Sequence, residues 1–83
     1  MRIRLKLFAT LGDYLPPGTP VQGVEIEASA GETAHQILDR FEVPRKMVHL
    51  VLRNGVYIEP EDRDRAVLQD GDVLAVWPPI AGG

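Results

Sequence analysis

The stretch Val73-Leu74-Ala75-Val76-Trp77-Pro78-Pro79-Ile80-Ala81-Gly82-Gly83 decides the fold and ends the sequence. Its first five residues form a dense apolar run, which predicts a central strand with neighbours on both sides. Two prolines then stop the strand, because proline fixes φ and lacks the N–H that a sheet requires. The last six residues are therefore expected to form an extended, flexible tail, which can span roughly 20 Å.

The tail over residues 78–83 has two interpretations. A thin Gly82-Gly83 end can pass through a narrow channel and present its carboxylate, which would then be the functional group. Chain ends are commonly frayed, however, and two terminal glycines can be trivial or a remnant of cloning. The residues that lead into the glycines, and the fold predicted below, favour the first interpretation.

Composition excludes several classes of function. The chain has 83 residues, a formal net charge of -3 and no cysteine. One small domain of ordinary globular composition is expected, without disulfides, thiolate metal sites or a cysteine nucleophile. The acidic balance argues against a nucleic-acid partner. The charged N-terminal stretch shows no signal peptide and no membrane span, so we expect a cytoplasmic protein without membrane attachment.

Apolar periodicity predicts one helix between two groups of strands. Thr33 and Gln36 form a capping box before apolar residues at helical spacing, and Pro44 ends that helix. Asn54-Gly55 predicts a tight hairpin. The predicted elements are strands over residues 1–7, 21–27, 47–53, 56–58 and 73–77, a short helical turn within 8–15, and a helix over 34–41.

One helix can cover only one face of such a sheet. The last strand is placed in the centre, parallel to the first strand and between two hairpins. This is an α+β, β-grasp (ubiquitin-like) arrangement, with a mixed sheet of four to five strands and the helix on one face. Residues 1–77 form the domain and residues 78–83 form the tail.

Charged residues in two places have structural interpretations. The stripe of Arg2, Arg4 and Lys6 is expected to face Glu25 and Glu27 across an antiparallel pair of strands. These opposite charges would stabilise the sheet, and this role is preferred to a nucleic-acid-binding patch. The mixed-charge segment over residues 59–65 is expected to be a solvated loop, and a docking role there has no support.

The side chains do not suggest a catalyst. His35 and His49 lack the neighbours that a metal site needs, so no metal is expected and each is interpreted as a surface or boundary residue. Ser29 has no histidine motif near it. Asp70-Gly71-Asp72 is too short for a calcium loop and is typical of a turn.

The chain resembles the ThiS/MoaD family of ubiquitin-like sulfur carriers over essentially its full length, and four segments carry the resemblance. They are residues 8–16, 51–55, 68–72 and 78–83. The Asp-Gly-Asp turn, the apolar strand and the Gly-Gly end are fairly specific in combination. Within the family the Pro-Pro-x-Ala-Gly-Gly ending is most similar to MoaD, the small subunit of molybdopterin synthase.

The resemblance implies a protein co-substrate and not an enzyme. An E1-like adenylyltransferase of the MoeB/ThiF type would adenylate Gly83 with ATP, and a sulfurtransferase would supply the sulfur of a thiocarboxylate. A MoaE-like large subunit would then accept the tail, in which Ile80, Ala81 and Gly82 precede Gly83. The resemblance also implies that the chain itself binds no cofactor, since the activating partner would use the ATP.

Trp77 and Phe8 are the predicted partner-binding residues. If Leu74 and Val76 face the helix, alternation puts Trp77 on the open face beside the tail, where an aromatic side chain can anchor an interface. A lone tryptophan in so short a chain can equally belong to the core. A phenylalanine, and not tryptophan, is expected at this position in MoaD.

Three alternatives to molybdopterin synthesis stay open at this point. The sulfur acceptor can belong to thiamin thiazole, tRNA thiolation or amino-acid biosynthesis. The chain can instead be a β-grasp interaction module without terminal chemistry, which would tolerate an added C-terminal residue. A small nucleic-acid-binding β-grasp domain is disfavoured by the acidic balance.

Overall fold

A computed structural model describes residues 1–80 of the chain. The strands are β1 (Arg2–Leu7), β2 (Val24–Glu27), β3 (Leu50–Arg53), β4 (Val56–Tyr57) and β5 (Val73–Trp77), and the α-helix is α1 (Ala34–Arg40). Short 3-10 turns occupy Ala9–Tyr14, Arg45–Met47 and Pro60–Asp62. No helix within these residues has the length and apolar character needed to cross a membrane. The predictions for Ala81, Gly82 and Gly83 lie outside the described residues.

The five strands form one mixed sheet in the order β2-β1-β5-β3-β4. The central strand β5 runs parallel to β1 and antiparallel to β3, while β2 and β4 are the edge strands. Both the central position of β5 and its direction relative to β1 confirm the sequence-based prediction. The sheet is the five-stranded version of the predicted β-grasp fold.

Helix α1 covers one face of this sheet and starts at the predicted capping box. The Thr33 N–H donates to Gln36 Oε1 at 2.9 Å, and the Gln36 N–H donates to Thr33 Oγ1 at 3.4 Å. The apolar side of the helix is buried against the strand side chains on the covered face of the sheet. The core includes Ile3, Leu5, Ile37, Leu38, Val51, Leu74 and Val76.

Two turn motifs close the end of the sheet at which β5 begins. Asp72 accepts hydrogen bonds from Asn54 Nδ2 at 2.9 Å and from the Gln69 N–H at 2.8 Å. Asn54 Oδ1 accepts from the N–H of Val73 at 2.8 Å. The Asn-Gly and Asp-Gly-Asp motifs therefore form one hydrogen-bonded cluster, and the second aspartate of the latter has a structural role.

Two strands begin three residues later than their sequence patterns predict. The second strand starts at Val24 and not at residue 21, because residues 20–23 form a turn closed by the Gly23 N–H and the Pro20 carbonyl at 2.9 Å. Gly23 has φ +88° and lies so close to the Leu5 carbonyl that a Cβ atom would clash with it. The third strand starts at Leu50 and not at residue 47, because a 3-10 turn precedes it.

The charged segments agree with their predictions in one case and depart in the other. Arg2 and Arg4 pair with Glu25 at 3.4 and 3.2 Å, and Arg2 also pairs with Glu27 at 3.0 Å, as predicted for these two arginines. Lys6, the third residue of the stripe, takes part in none of the ion pairs formed among residues 1–80. The segment over residues 59–65 is not wholly solvated, because Arg63 is only 3% exposed. Its guanidinium donates to backbone carbonyls, and so the prediction of a solvated loop is wrong for this residue.

Candidate functional site

The candidate site lies where β5 ends and the chain leaves the sheet. At this point the Phe8 N–H donates to the Val76 carbonyl at 3.0 Å, and the His49 N–H donates to the Trp77 carbonyl at 3.0 Å. The final residues of β5 are thus held from both sides. Pro78 follows immediately, and it has no N–H to continue the ladder.

Phe8 and Trp77 are brought together in a parallel stack. Their ring centroids are 4.3 Å apart and the ring planes differ by 5°. Leu74 and Val76 face the core, so alternation places Trp77 on the open face of the sheet, half-buried beside Phe8. The stack unites the two residues proposed for partner binding, and their contact with a partner stays a prediction.

Ala9, which directly follows Phe8, has a left-handed backbone conformation with φ +52°. A residue with a Cβ atom rarely adopts this conformation, and such strain persists only where the surrounding structure holds it. The turn that Ala9 begins carries Leu11 into the core, and Phe8 directly before it reaches Trp77. The strained residue therefore directs the chain away from β1 and keeps Phe8 over the open face.

A shallow apolar pocket surrounds the exit of the tail, and we call it the tail-root pocket. Its volume is about 260 Å³, and its walls are residues 77–80 together with Ala9, His49 and Leu50. Ile80 is 78% exposed at its rim. An exposed apolar concavity next to a stacked aromatic pair has the composition that protein interfaces favour at their centres.

Three wall residues outside the tail were not among the predicted site residues, namely Ala9, His49 and Leu50. His49 was interpreted as an ordinary boundary residue, and Leu50 was assigned only to a strand. Leu50 lies directly opposite Trp77 in the β3–β5 register. Side chains of directly opposed residues share a face of the sheet, so Leu50 lies on the same face as Trp77. The sequence predicted that β3 and β5 are neighbours, but Leu50 can be placed beside Trp77 only when the register of the two strands is known.

Within residues 1–80, the titratable side chains form no catalytic group at the tail-root pocket. His35 Nδ1 lies 2.9 Å from Asp64 Oδ1, and Arg45 makes a two-pronged contact with Asp39 at 3.2 and 2.8 Å. The hydrogen bond from Arg45 holds the pKa of Asp39 below its usual value. Among residues 1–80, no group of three or more histidine or acidic side chains is arranged to hold a metal ion.

Comparison with solved structures finds the same fold in several proteins. The chain aligns over its full length with SAMP1 from Haloferax volcanii (23% identity, TM-score 0.69, all of that chain covered). It aligns equally fully with the Haloferax volcanii HVO 2177 protein (25% identity, TM-score 0.77, 87% of that chain covered). Thiamine biosynthesis protein ThiS from Geobacter metallireducens gives 18% identity and a TM-score of 0.66, with all of both chains covered.

A fourth structure is a complex of subunits 1 and 2 of molybdopterin-converting factor from Helicobacter pylori. One chain of it aligns over its whole length with all of this chain at 18% identity and a TM-score of 0.61. No curated protein matches the sequence. The model of the ThiS family matches residues 5–83, which includes the last strand, the tail and both terminal glycines. The chain therefore belongs to the ThiS family.

Proposed function

We propose that this protein is a sulfur carrier that is charged and discharged at the carboxylate of Gly83. The observation that carries the proposal is the tail-root pocket, which puts an exposed apolar surface directly at the exit of the tail. The family match extends through the terminal glycines and supports the same assignment. The folded domain presents the tail, and the catalytic side chains belong to partner enzymes.

The chemistry at Gly83 requires activation before sulfur transfer. A carboxylate oxygen attacks the α-phosphorus of ATP, and pyrophosphate leaves to give an acyl adenylate. The terminal sulfur of a persulfide then attacks the carbonyl carbon, and AMP leaves with the electron pair of the C–O bond. A second thiolate cleaves the resulting S–S bond, so that the donor forms a disulfide and the carrier keeps a thiocarboxylate.

Docking through the folded surface supplies the affinity in this proposal. Ordering a Gly-Gly segment costs more conformational entropy than ordering other residues, so the tail alone is a poor ligand. The Phe8–Trp77 stack and the tail-root pocket offer a partner an apolar contact within a few residues of the reacting end. An E1-like adenylyltransferase of the MoeB/ThiF type and a sulfurtransferase are the proposed partners for charging.

We infer that the sulfur is used in molybdopterin synthesis, with this chain as the small subunit of the synthase and a MoaE-like protein as the large subunit. The Pro-Pro-x-Ala-Gly-Gly ending supports this pathway, as does the fold shared with a chain of the molybdopterin-converting factor complex. Delivery to thiamin thiazole is the second candidate, and the match to the ThiS family model supports it.

Intact-mass spectrometry tests the proposal. The protein is co-expressed with an adenylyltransferase and a sulfurtransferase from its own genome, and an oxygen-to-sulfur replacement at Gly83 is expected. A matched variant with one alanine added after Gly83 is expected to stay unmodified, because its new carboxylate lies one residue beyond the position that the activating enzyme binds. Equal charging of both proteins would contradict the proposal.

A further inference from the structure

Arg63 is a buried cation in a loop whose charged neighbours are exposed. Its side chain is 3% exposed, and none of the ion pairs formed among residues 1–80 includes it. Moving a charge out of water is costly unless hydrogen bonds compensate it. The burial of this guanidinium therefore requires hydrogen-bond partners that offset its loss of hydration.

Backbone carbonyls take the place of a counter-ion. Arg63 Nε donates to the Ile58 carbonyl at 3.1 Å, Nη1 to the Val48 carbonyl at 3.4 Å and Nη2 to the His49 carbonyl at 2.9 Å. The guanidinium also lies 5.8 Å from the centre of the Tyr57 ring. These acceptors belong to the end of the β3–β4 hairpin and to the segment that enters β3, so one planar group fastens both together.

The contact with His49 continues directly to the exit of the tail. The peptide carbonyl of His49 accepts from Arg63, while its N–H donates to the carbonyl of Trp77 at 3.0 Å. His49 is thus held between the buried guanidinium and the last residue of β5. His49 and Leu50 both line the tail-root pocket.

We propose that Arg63 is a positioning residue that fixes the place and direction in which the tail leaves the sheet. It acts through His49 and does not touch a partner. This inference rests on the proposed function, since it concerns delivery of Gly83 to the activating enzyme. A lysine at position 63 would keep the charge, but as a point donor it cannot hold the Ile58 and His49 carbonyls together.

The kinetic test compares Arg63→Lys and Arg63→Gln with Arg65→Lys. Arg65 is an exposed arginine in the same loop and serves as the matched control. Adenylation by the activating enzyme is followed by pyrophosphate release at varied carrier concentration. The Arg63 variants are expected to lower kcat about 10- to 100-fold, because small misplacements of a reacting group have effects of that size. The KM for the carrier is expected to stay close to wild type, because the Phe8–Trp77 stack is retained.

Amide hydrogen exchange supplies a readout that a general loss of stability would not produce. The His49 amide is expected to exchange at least about tenfold faster in Arg63→Lys, whereas the Arg4 amide, which donates to the Asp72 carbonyl at the opposite end of the sheet, keeps its rate. Equal acceleration of both amides would overturn the proposal. So would wild-type kcat in a folded Arg63 variant, or failure of both variants to fold.

The two proposals fail in different ways. If wild-type protein is not adenylated at Gly83, the proposed function is wrong. If wild-type protein is adenylated and the Arg63 variants are adenylated with the same kcat, the proposed function stands and the positioning role of Arg63 is wrong.

Discussion

Replacing Trp77 with alanine separates a docking residue from a core residue. Truncation of a fully buried tryptophan costs about 3–5 kcal/mol of folding free energy. Trp77 is half-buried and lies outside the helix-covered core, so its main intramolecular loss is the stack on Phe8 at 4.3 Å. An aromatic pair contributes about 0.5–1.5 kcal/mol beyond its buried area. We therefore expect Trp77→Ala to lower the free energy of unfolding by about 1–2 kcal/mol.

The effect on activation by the adenylyltransferase is expected to be larger. Anchor residues at interface centres contribute 2 kcal/mol or more, which corresponds to a fall in kcat/KM of about 30-fold or more. Urea unfolding is followed by circular dichroism, because the substitution removes the only tryptophan fluorophore. Activation is followed by pyrophosphate release. The fall in kcat/KM is expected to come from a higher KM and not from a lower kcat, since the tail and its carboxylate are unchanged.

Two control variants test whether the loss of activation is specific to the aromatic side chain at position 77. Trp77→Phe keeps a stacking partner for Phe8 and should retain most of the activation. Val67→Ala truncates an apolar side chain that is 46% exposed away from the tail-root pocket, and it should leave kcat/KM unchanged. A loss of more than about 3 kcal/mol in Trp77→Ala, with wild-type kcat/KM for the folded fraction, would assign Trp77 to the core and refute the reasoning.

Three further predictions concern the domain itself. Gly23→Ala should destabilise the fold by about 2 kcal/mol more than Gly18→Ala in urea unfolding, because both glycines have positive φ but only at Gly23 would the new Cβ clash with the neighbouring strand. Equal losses would contradict the close approach. Thr33→Ala should cost about 1 kcal/mol by the same measurement, through loss of the capping box; an unchanged midpoint would show that the cap is dispensable. Arg45→Ala should raise the pKa of Asp39 towards its usual value in an NMR titration, since the Arg45 hydrogen bond lowers it. The folded-state pKa is the lower one, so the stabilisation is present at neutral pH and is lost as the pH falls through that value; identical titration curves would refute the pairing.

The fold was predictable because its strongest signals are local. The alternation in residues 1–7, the capping box at Thr33 and the Asn54-Gly55 turn each depend on residues within a few positions of one another. The apolar run of residues 73–77 added the one long-range inference, that the last strand is central. Strand boundaries were less accurate, since Val21 continues an apolar pattern but lies in a turn that Gly23 sets.

The site was only partly predictable, because its remaining residues act through register and tertiary hydrogen bonds. Trp77 and Phe8 were identified from alternation and position. His49 and Leu50 became visible only once β3 was aligned on β5. Arg63 gives no signal in the sequence, since it lies among acidic residues that stay exposed and its partners are backbone carbonyls 5, 14 and 15 positions away.

The attachment of the tail to the central strand has a mechanical consequence. β5 is paired on both sides, and the carbonyls of Val76 and Trp77 accept from Phe8 and His49 respectively. Opening the sheet at this point breaks hydrogen bonds to two strands at once, whereas an edge strand would open by breaking one set. Because Pro78 has no N–H to donate to either neighbour, the hydrogen-bonded ladder ends at Trp77. A substitution that loosens only the bond between His49 and Trp77 therefore lets the root of the tail move while the core stays packed. Substitutions around His49 should for this reason impair delivery of the carboxylate more than they lower global stability. Residues whose substitution impairs delivery without lowering stability belong to the surface that positions the tail.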